Sequence, residues 1–161
     1  MTLSSLLALL LLAAQAPAAH APATPLERFF VGRTEGAGTV HVLLSGRHAV
    51  RHRSVGRIDR AGALTMDELL EEEGKAPRRR IWRLVRAGGD RIGGTISDAR
   101  GPVTGSVSGN VLRLRYRLAE GPSVEQRITL QAGGRSAANH MIFRRFGIVV
   151  ARVEQVIRRV E

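Results

Sequence analysis

The chain has no cysteine among its 161 residues. That excludes a disulfide framework and a lipid carried on an N-terminal cysteine, so packing alone must hold the fold. Aromatic residues make up only 4%, with one Trp and one Tyr. No RNP-like stacking motif interrupts that scarcity, and nucleic acid is not expected as a partner. Neither G-x-G-x-x-G nor G-x-x-x-x-G-K-[ST] is present, which removes the familiar phosphate loops. The longest apolar stretch, LSSLLALLLLAAQ at residues 3–15, falls short of the ~20 residues a membrane-spanning helix needs.

That stretch runs into small residues with several Ala-x-Ala sites, and residues 1–23 read as a signal peptide cleaved after Ala18 or Ala23. Export to the periplasm or cell envelope follows as an expectation, with residues 24–161 forming one domain. No charged side chain occurs in residues 1–23, so the whole formal net charge of +11 belongs to that domain. Arginine supplies it: 24 Arg stand against one Lys. Guanidinium forks suit phosphate and carboxylate groups, although a compositional bias toward Arg would produce the same count.

Turn signals recur at short intervals: Ser45-Gly46, Ala61-Gly62, Gly74 to Pro77, Gly88-Gly89-Asp90, Gly101-Pro102, Gly109-Asn110, Gly121-Pro122 and Gly133-Gly134. Short β-branched runs lie between them, the pattern of an antiparallel all-β sandwich or barrel. VLRLRYRL at 111–118 is the clearest strand, with Leu112, Leu114, Tyr116 and Leu118 on one face and Arg113, Arg115 and Arg117 on the other. Residues 124–132 set Val124, Gln126, Ile128 and Leu130 against Glu125, Arg127 and Thr129. Residues 49–58 put Arg51, Arg53 and Arg57 on one side.

Residues 67–73 and 148–160 carry both helix and strand signals. The first has strong helix formers, and the second has Val149, Val153, Val156, Ile157 and Val160 at helical spacing. Val/Ile content favours a strand for the second. For the first, a hairpin is favoured in which Glu73 faces Arg78, Glu72 faces Arg79, Glu71 faces Arg80 and Glu68 faces Arg83. Each such pair contributes ~0.2–1 kcal/mol. On this reading the Arg78–Arg80 run is neutralised within its own hairpin and is no phosphate clamp.

The chain resembles a family of exported bacterial proteins known as domain of unknown function 3833, many of them lipoproteins. The matching stretches are 29–40, 64–84, 94–118 and 139–156, and the most specific features are Gly101, Gly105 and Gly109 followed by Asn110 and the strand through Tyr116, then the block from Asn139 to Phe146-Gly147. The family's Asp-Asp before the glycines is Ser97-Asp98 here, and its paired acids and Trp-Met are replaced by Gln126 to Thr129. The resemblance implies an antiparallel lipocalin- or calycin-like barrel of about 8–10 strands after an N-terminal signal helix. It implies no established activity.

Residues of interest are therefore Trp82, Asp98, Gly109, Asn110, Tyr116, Asn139, Phe146 and Gly147 as lumen-lining or fold-specifying positions, and Arg113, Arg115 and Arg117 as contacts to an anionic surface. His41, His48, His52 and His140 read as scattered surface residues. His48 and His52 share a strand face but stand roughly 13 Å apart, too far for one metal. Asp98 reads as a turn cap. Ser106 lacks the context of a strained nucleophile. No catalytic residue, metal or cofactor is expected. Three functions remain: a non-catalytic barrel whose lumen accepts a small apolar ligand, a cationic adaptor on anionic envelope lipids or polymers, and an enzyme joining Asp98, a histidine and Tyr116. Oligomeric state is not legible.

Overall fold

A computed structural model describes residues 22–160. The expected signal segment lies outside them, apart from Pro22 and Ala23. A short helix α1 (Pro25–Phe29) precedes ten strands: β1 (Gly32–Val42), β2 (Gly46–Ile58), β3 (Leu64–Glu72), β4 (Arg78–Arg86), β5 (Arg91–Ile96), β6 (Ala99–Ser108), β7 (Val111–Leu118), β8 (Ser123–Leu130), β9 (Ser136–Arg145) and β10 (Ile148–Val160). Each strand pairs antiparallel with its chain neighbours, and β1 pairs with β10 to close the barrel. Closure leaves no free edge, which removes the template for edge-to-edge aggregation. Both ambivalent segments are strands.

Side-chain parity sorts the wall. Leu112, Leu114 and Tyr116 are buried together, and Arg113, Arg115 and Arg117 are exposed between them. Val50, Leu64, Met66, Trp82, Leu84, Ile92, Val103, Val124, Ile128, Met141, Val153 and Ile157 complete the inward face. An outer face carrying Arg51, Arg53, Arg57, Arg113, Arg115 and Arg117 is the reverse of a lipid-facing transmembrane wall, where such charges are destabilising.

The β3–β4 hairpin differs from the charge-matched expectation by three residues. Glu68 pairs with Arg80, Leu69 with Arg79, Leu70 with Arg78 and Met66 with Trp82. An odd slip exchanges the two faces of a strand, so core packing decides it. Leu64 and Met66 enter the lumen opposite Leu84 and Trp82, and that parity carries Glu68 and Arg80 inside with them. Gly101-Pro102 is a second correction: it forms an irregularity within β6, between Arg100 and Thr104, instead of a turn.

α1 plugs one end. Thr24 caps it by accepting from the Glu27 N–H while the Glu27 carboxylate accepts from the Thr24 N–H, and Pro25 occupies the first turn. Leu26, Phe29 and Phe30 are buried in the barrel end formed by the start of β1 and the end of β2. Arg86 holds Glu27 at 3.0 Å, and Arg159 donates to the backbone carbonyl of Val31 at 3.2 Å. The Phe30 carbonyl oxygen lies 1.9 Å from where a Cβ on Gly56 would stand, so a glycine is required beneath the plug. The opposite end is the mouth, ringed by half-buried Val42, Leu70, Ala99, Leu118, Phe143 and Ala151.

Candidate functional site

A chain of polar side chains crosses the lumen between the plug and the mouth. The Tyr116 hydroxyl donates to Gln126 Oε1 at 3.4 Å, Gln126 Nε2 to Asn139 Oδ1 at 3.0 Å, and Asn139 Nδ2 to Gln155 Oε1 at 2.9 Å. Gln155 Nε2 then meets His52 Nδ1 at 3.3 Å. An amide nitrogen can only donate, so Nδ1 accepts and the imidazole is neutral in this arrangement. Each link donates in the same direction, the condition under which hydrogen bonds polarise one another.

The last link spans β10 to β2, although β1 lies between them. Gly36 makes this workable: a Cβ there would fall 2.1 Å from the His52 ring. The small residues of GRTEGAGTVHV in β1 thus leave space that the imidazole fills.

Beyond His52 the chain becomes ionic. Glu68 Oε2 accepts from Arg80 Nε at 2.5 Å and from Trp82 Nε1 at 2.8 Å, while His52 Nδ1 stands 3.9 Å from Glu68 Oε1. The Arg80 guanidinium lies 5.1 Å from the Trp82 ring centroid, and Trp82 meets Tyr116 edge-on at 5.5 Å. Arg80 Nη1 reaches to 3.9 Å from Asp98 Oδ2 in the β5–β6 turn at the mouth, and Asp98 Oδ1 is buried with no hydrogen-bond partner among the described residues.

Burial sets the titration of these groups. It pushes the Glu68 carboxyl up, but the Arg80 charge, His52 and the two hydrogen bonds outweigh it and hold the pKa below the ordinary value. Burial lowers the His52 pKa, Glu68 partly offsets that, and Arg80 reinforces it. Burial likewise raises the Tyr116 phenol, with Glu68 and Asp98 adding to the shift against Arg80. At neutral pH the lumen therefore holds one ion pair, a neutral imidazole and a neutral phenol.

A void of about 30 Å³ lies beside His52, Glu68, Arg80, Gln126, Asn139 and Gln155. Met66, Trp82, Leu112, Leu114 and Ile128 also line it, and its size admits at most one water. Asp98, His52 and Tyr116 do belong to one network, connected through Arg80 and Glu68, yet the void beside it is far smaller than a typical ligand pocket of ~300–1,000 Å³.

Other expectations resolve individually. Trp82, Tyr116 and Asn139 line the lumen. Asp98 is no turn cap: its carboxylate faces Arg80, and the Asx-type contacts belong to Asp59, which accepts from Ala61 and Ala63. His52 is buried, contrary to the surface expectation for the histidines. Gly109-Asn110 forms the β6–β7 turn, and Asn110 Nδ2 ties it to the Leu130 carbonyl at 2.9 Å. Phe146-Gly147 forms the β9–β10 turn, with Phe146 facing outward. Sequence reasoning missed Glu68, Arg80, Gln155 and α1. Thr24-Pro25-Leu26-Glu27 carried a capping-box signal for α1, and Arg80 shares the parity of Trp82 and Leu84.

The outer wall has larger concavities. One open groove of about 810 Å³ runs across β6 to β10 between the row Arg113, Arg127, His140 and Glu154 and the row Arg115, Glu125, Ile142 and Arg152. Arg113 and Arg127 are directly opposed cross-strand partners. No ion pair engages either among the described residues.

A closed ten-stranded antiparallel meander around a filled interior defines a lipocalin-like barrel. The chain belongs to the family described as "Protein of unknown function (DUF3833)", whose model matches residues 5–159. The S-type phycobiliprotein lyase CPES from Guillardia theta has a similar structure, with a TM-score of 0.64 at 10% identity over 84% of this chain and 90% of the lyase. Rv2717c from M. tuberculosis has a TM-score of 0.65 at 14% identity over 86% of this chain and 99% of that one. These likenesses are of fold alone. Comparison with curated proteins gives no match.

Proposed function

We propose that the protein is a non-catalytic, exported barrel that docks on anionic surfaces of the cell envelope through its outer arginine wall. The opposed Arg113 and Arg127 carry this reading. Like charges facing each other across a sheet are destabilising by themselves, and an anion between them converts the repulsion into two charge-assisted contacts. Arg115 and Arg152 add two further positive charges to the groove, against Glu125 and Glu154. The void of about 30 Å³ favours this reading over storage of an apolar ligand deep in the lumen.

The test is binding of the full chain to vesicles containing anionic phospholipid, compared with an Arg113→Gln, Arg115→Gln, Arg127→Gln variant. Binding falls in the variant if the wall docks; equal binding by both proteins contradicts the reading.

Asp98 supports a second reading, in which a small amphiphile sits at the mouth. Its buried Oδ1 lacks a donor, and Ala99 and Leu118 form half-buried apolar surface in the strands beside that turn. A ligand with an apolar body and one hydroxyl or amine would satisfy both. Native mass spectrometry checks it: a small molecule retained by the protein and lost from Asp98→Leu supports it, and none retained by either removes it.

A further inference from the structure

Among the described residues, large apolar side chains occupy the tips of only two of the nine turns, and those two are adjacent. The β1–β2 turn presents Leu43 and Leu44, and the β9–β10 turn presents Phe146, followed by Ile148. β1 and β10 are hydrogen-bonded neighbours, and the Leu43 N–H donates to the Val150 carbonyl at 2.9 Å, fastening one tip beside the other. Leu44 is 99% exposed and Phe146 94% exposed. Every other turn carries only Gly, Ala, Pro and polar or charged residues.

These exposed residues occupy unfavourable backbone. Leu44 has φ of 75° and Phe146 φ of 51°, and among the described residues they are the only non-glycines with positive φ. A two-residue hairpin turn with positive φ at both centres favours Asn-Gly; here it is Phe146-Gly147. A bulky apolar side chain is thus held outward where Asn would be more comfortable, an outlier that points to use at the tip.

The surroundings define the partner. Residues 41–48 and 143–152 contain His41, Arg47, His48, Arg144, Arg145 and Arg152 and no acidic residue, while Glu73 of the neighbouring β3–β4 turn accepts from the Ala49 N–H at 3.0 Å. None of these four arginines is in an ion pair among the described residues. Apolar tips collared by arginine match the two layers of an anionic bilayer surface, acyl boundary beneath and phosphates above. We propose that the paired tips insert Leu43, Leu44 and Phe146 into the interface of an anionic phospholipid bilayer, with Arg47, Arg144 and Arg145 contacting lipid phosphates, so that the mouth of the barrel faces the membrane. This rests on the anionic-surface reading and deepens it by specifying a bilayer and the element that enters it.

The experiment compares variants of the full chain, so that residues 1–21 contribute equally to each, on vesicles of phosphatidylcholine with and without phosphatidylglycerol. Leu44→Asn with Phe146→Asn is expected to bind the anionic vesicles at least about tenfold more weakly. Its thermal midpoint should stay or rise, because Asn tolerates positive φ. Phe146→Trp supplies a second readout: the introduced indole's emission shifts to the blue on adding anionic vesicles, while Trp82, buried in the lumen, contributes a constant background. Wild-type affinity in the Asn variant, or an emission spectrum of Phe146→Trp that vesicles leave unshifted, overturns the proposal. Loss of binding in the Arg113, Arg115 and Arg127 variant alone overturns tip insertion and leaves wall docking standing; loss in the tip variant alone does the reverse. Self-association in lipid-free solution that the tip variant abolishes assigns the tips to a second copy of the chain and also overturns it.

Discussion

Arg80 Nε lies 2.5 Å from Glu68 Oε2 inside the barrel, while the adjacent Arg79 reaches outward to Asp67, with Nε 2.7 Å from Oδ1. Two consecutive arginines thus serve opposite faces of one strand, and their mutational consequences should diverge. Arg80→Met leaves the Glu68 charge buried without its partner, an effect on the order of 3–5 kcal/mol. Glu68→Gln strands Arg80 in the same way. The double replacement Glu68→Leu, Arg80→Met removes both charges and should recover most of that loss. Arg79→Met should change stability little, since exposed pairs contribute weakly. Urea unfolding midpoints check the set; equal effects at positions 79 and 80 would contradict the register.

That register also shows what the sequence could and could not disclose. The alternation of Leu112, Leu114 and Tyr116 with three arginines announced a half-wet strand, and β10 was legible from its Val and Ile content. β3 and β4 were legible as a hairpin, but matching charges across it left open which face is interior. Core parity overrode the charges: Trp82 and Met66 had to enter together, and Arg80 and Glu68 went with them. Gln126 already stood on the apolar side of β8, but sequence pattern alone could not pair it with Asn139 and Gln155, which arrive from other strands. The orphaned Asp98 oxygen depends on side-chain geometry that no spacing rule encodes.

Stability should fall as the solution is acidified from neutrality. The His52 pKa in the folded protein is below its ordinary value of 6.5, and the Glu68 pKa is below its ordinary 4.5. In both cases the unfolded chain binds the proton more readily than the folded one, so stability is full above about pH 6.5 and is lost downward, first through His52 and then through Glu68. His52→Gln should flatten the dependence between about pH 5 and 7. Denaturant midpoints measured across pH test this; stability that rises toward pH 5 would contradict it.

Gly36→Ala should disturb the same region by volume. The added Cβ would meet the His52 ring at 2.1 Å, forcing the imidazole away from Gln155. Overpacking of this kind costs about 1–3 kcal/mol. Replacing His52 by Ala in the same chain should make the two changes non-additive, since one removes the obstacle to the other. Thermal denaturation of the two single variants and the double variant measures the coupling, and strict additivity would separate Gly36 from His52.

The central claim is that this barrel acts through cationic outer surfaces, and the salt dependence of its affinity for anionic vesicles tests that most directly. The account predicts affinity that falls steadily as sodium chloride rises through the range where the screening length drops to about 8–10 Å, with a shallower slope for the Arg113, Arg115 and Arg127 variant. Affinity independent of salt, or equal binding to purely zwitterionic vesicles, would contradict it.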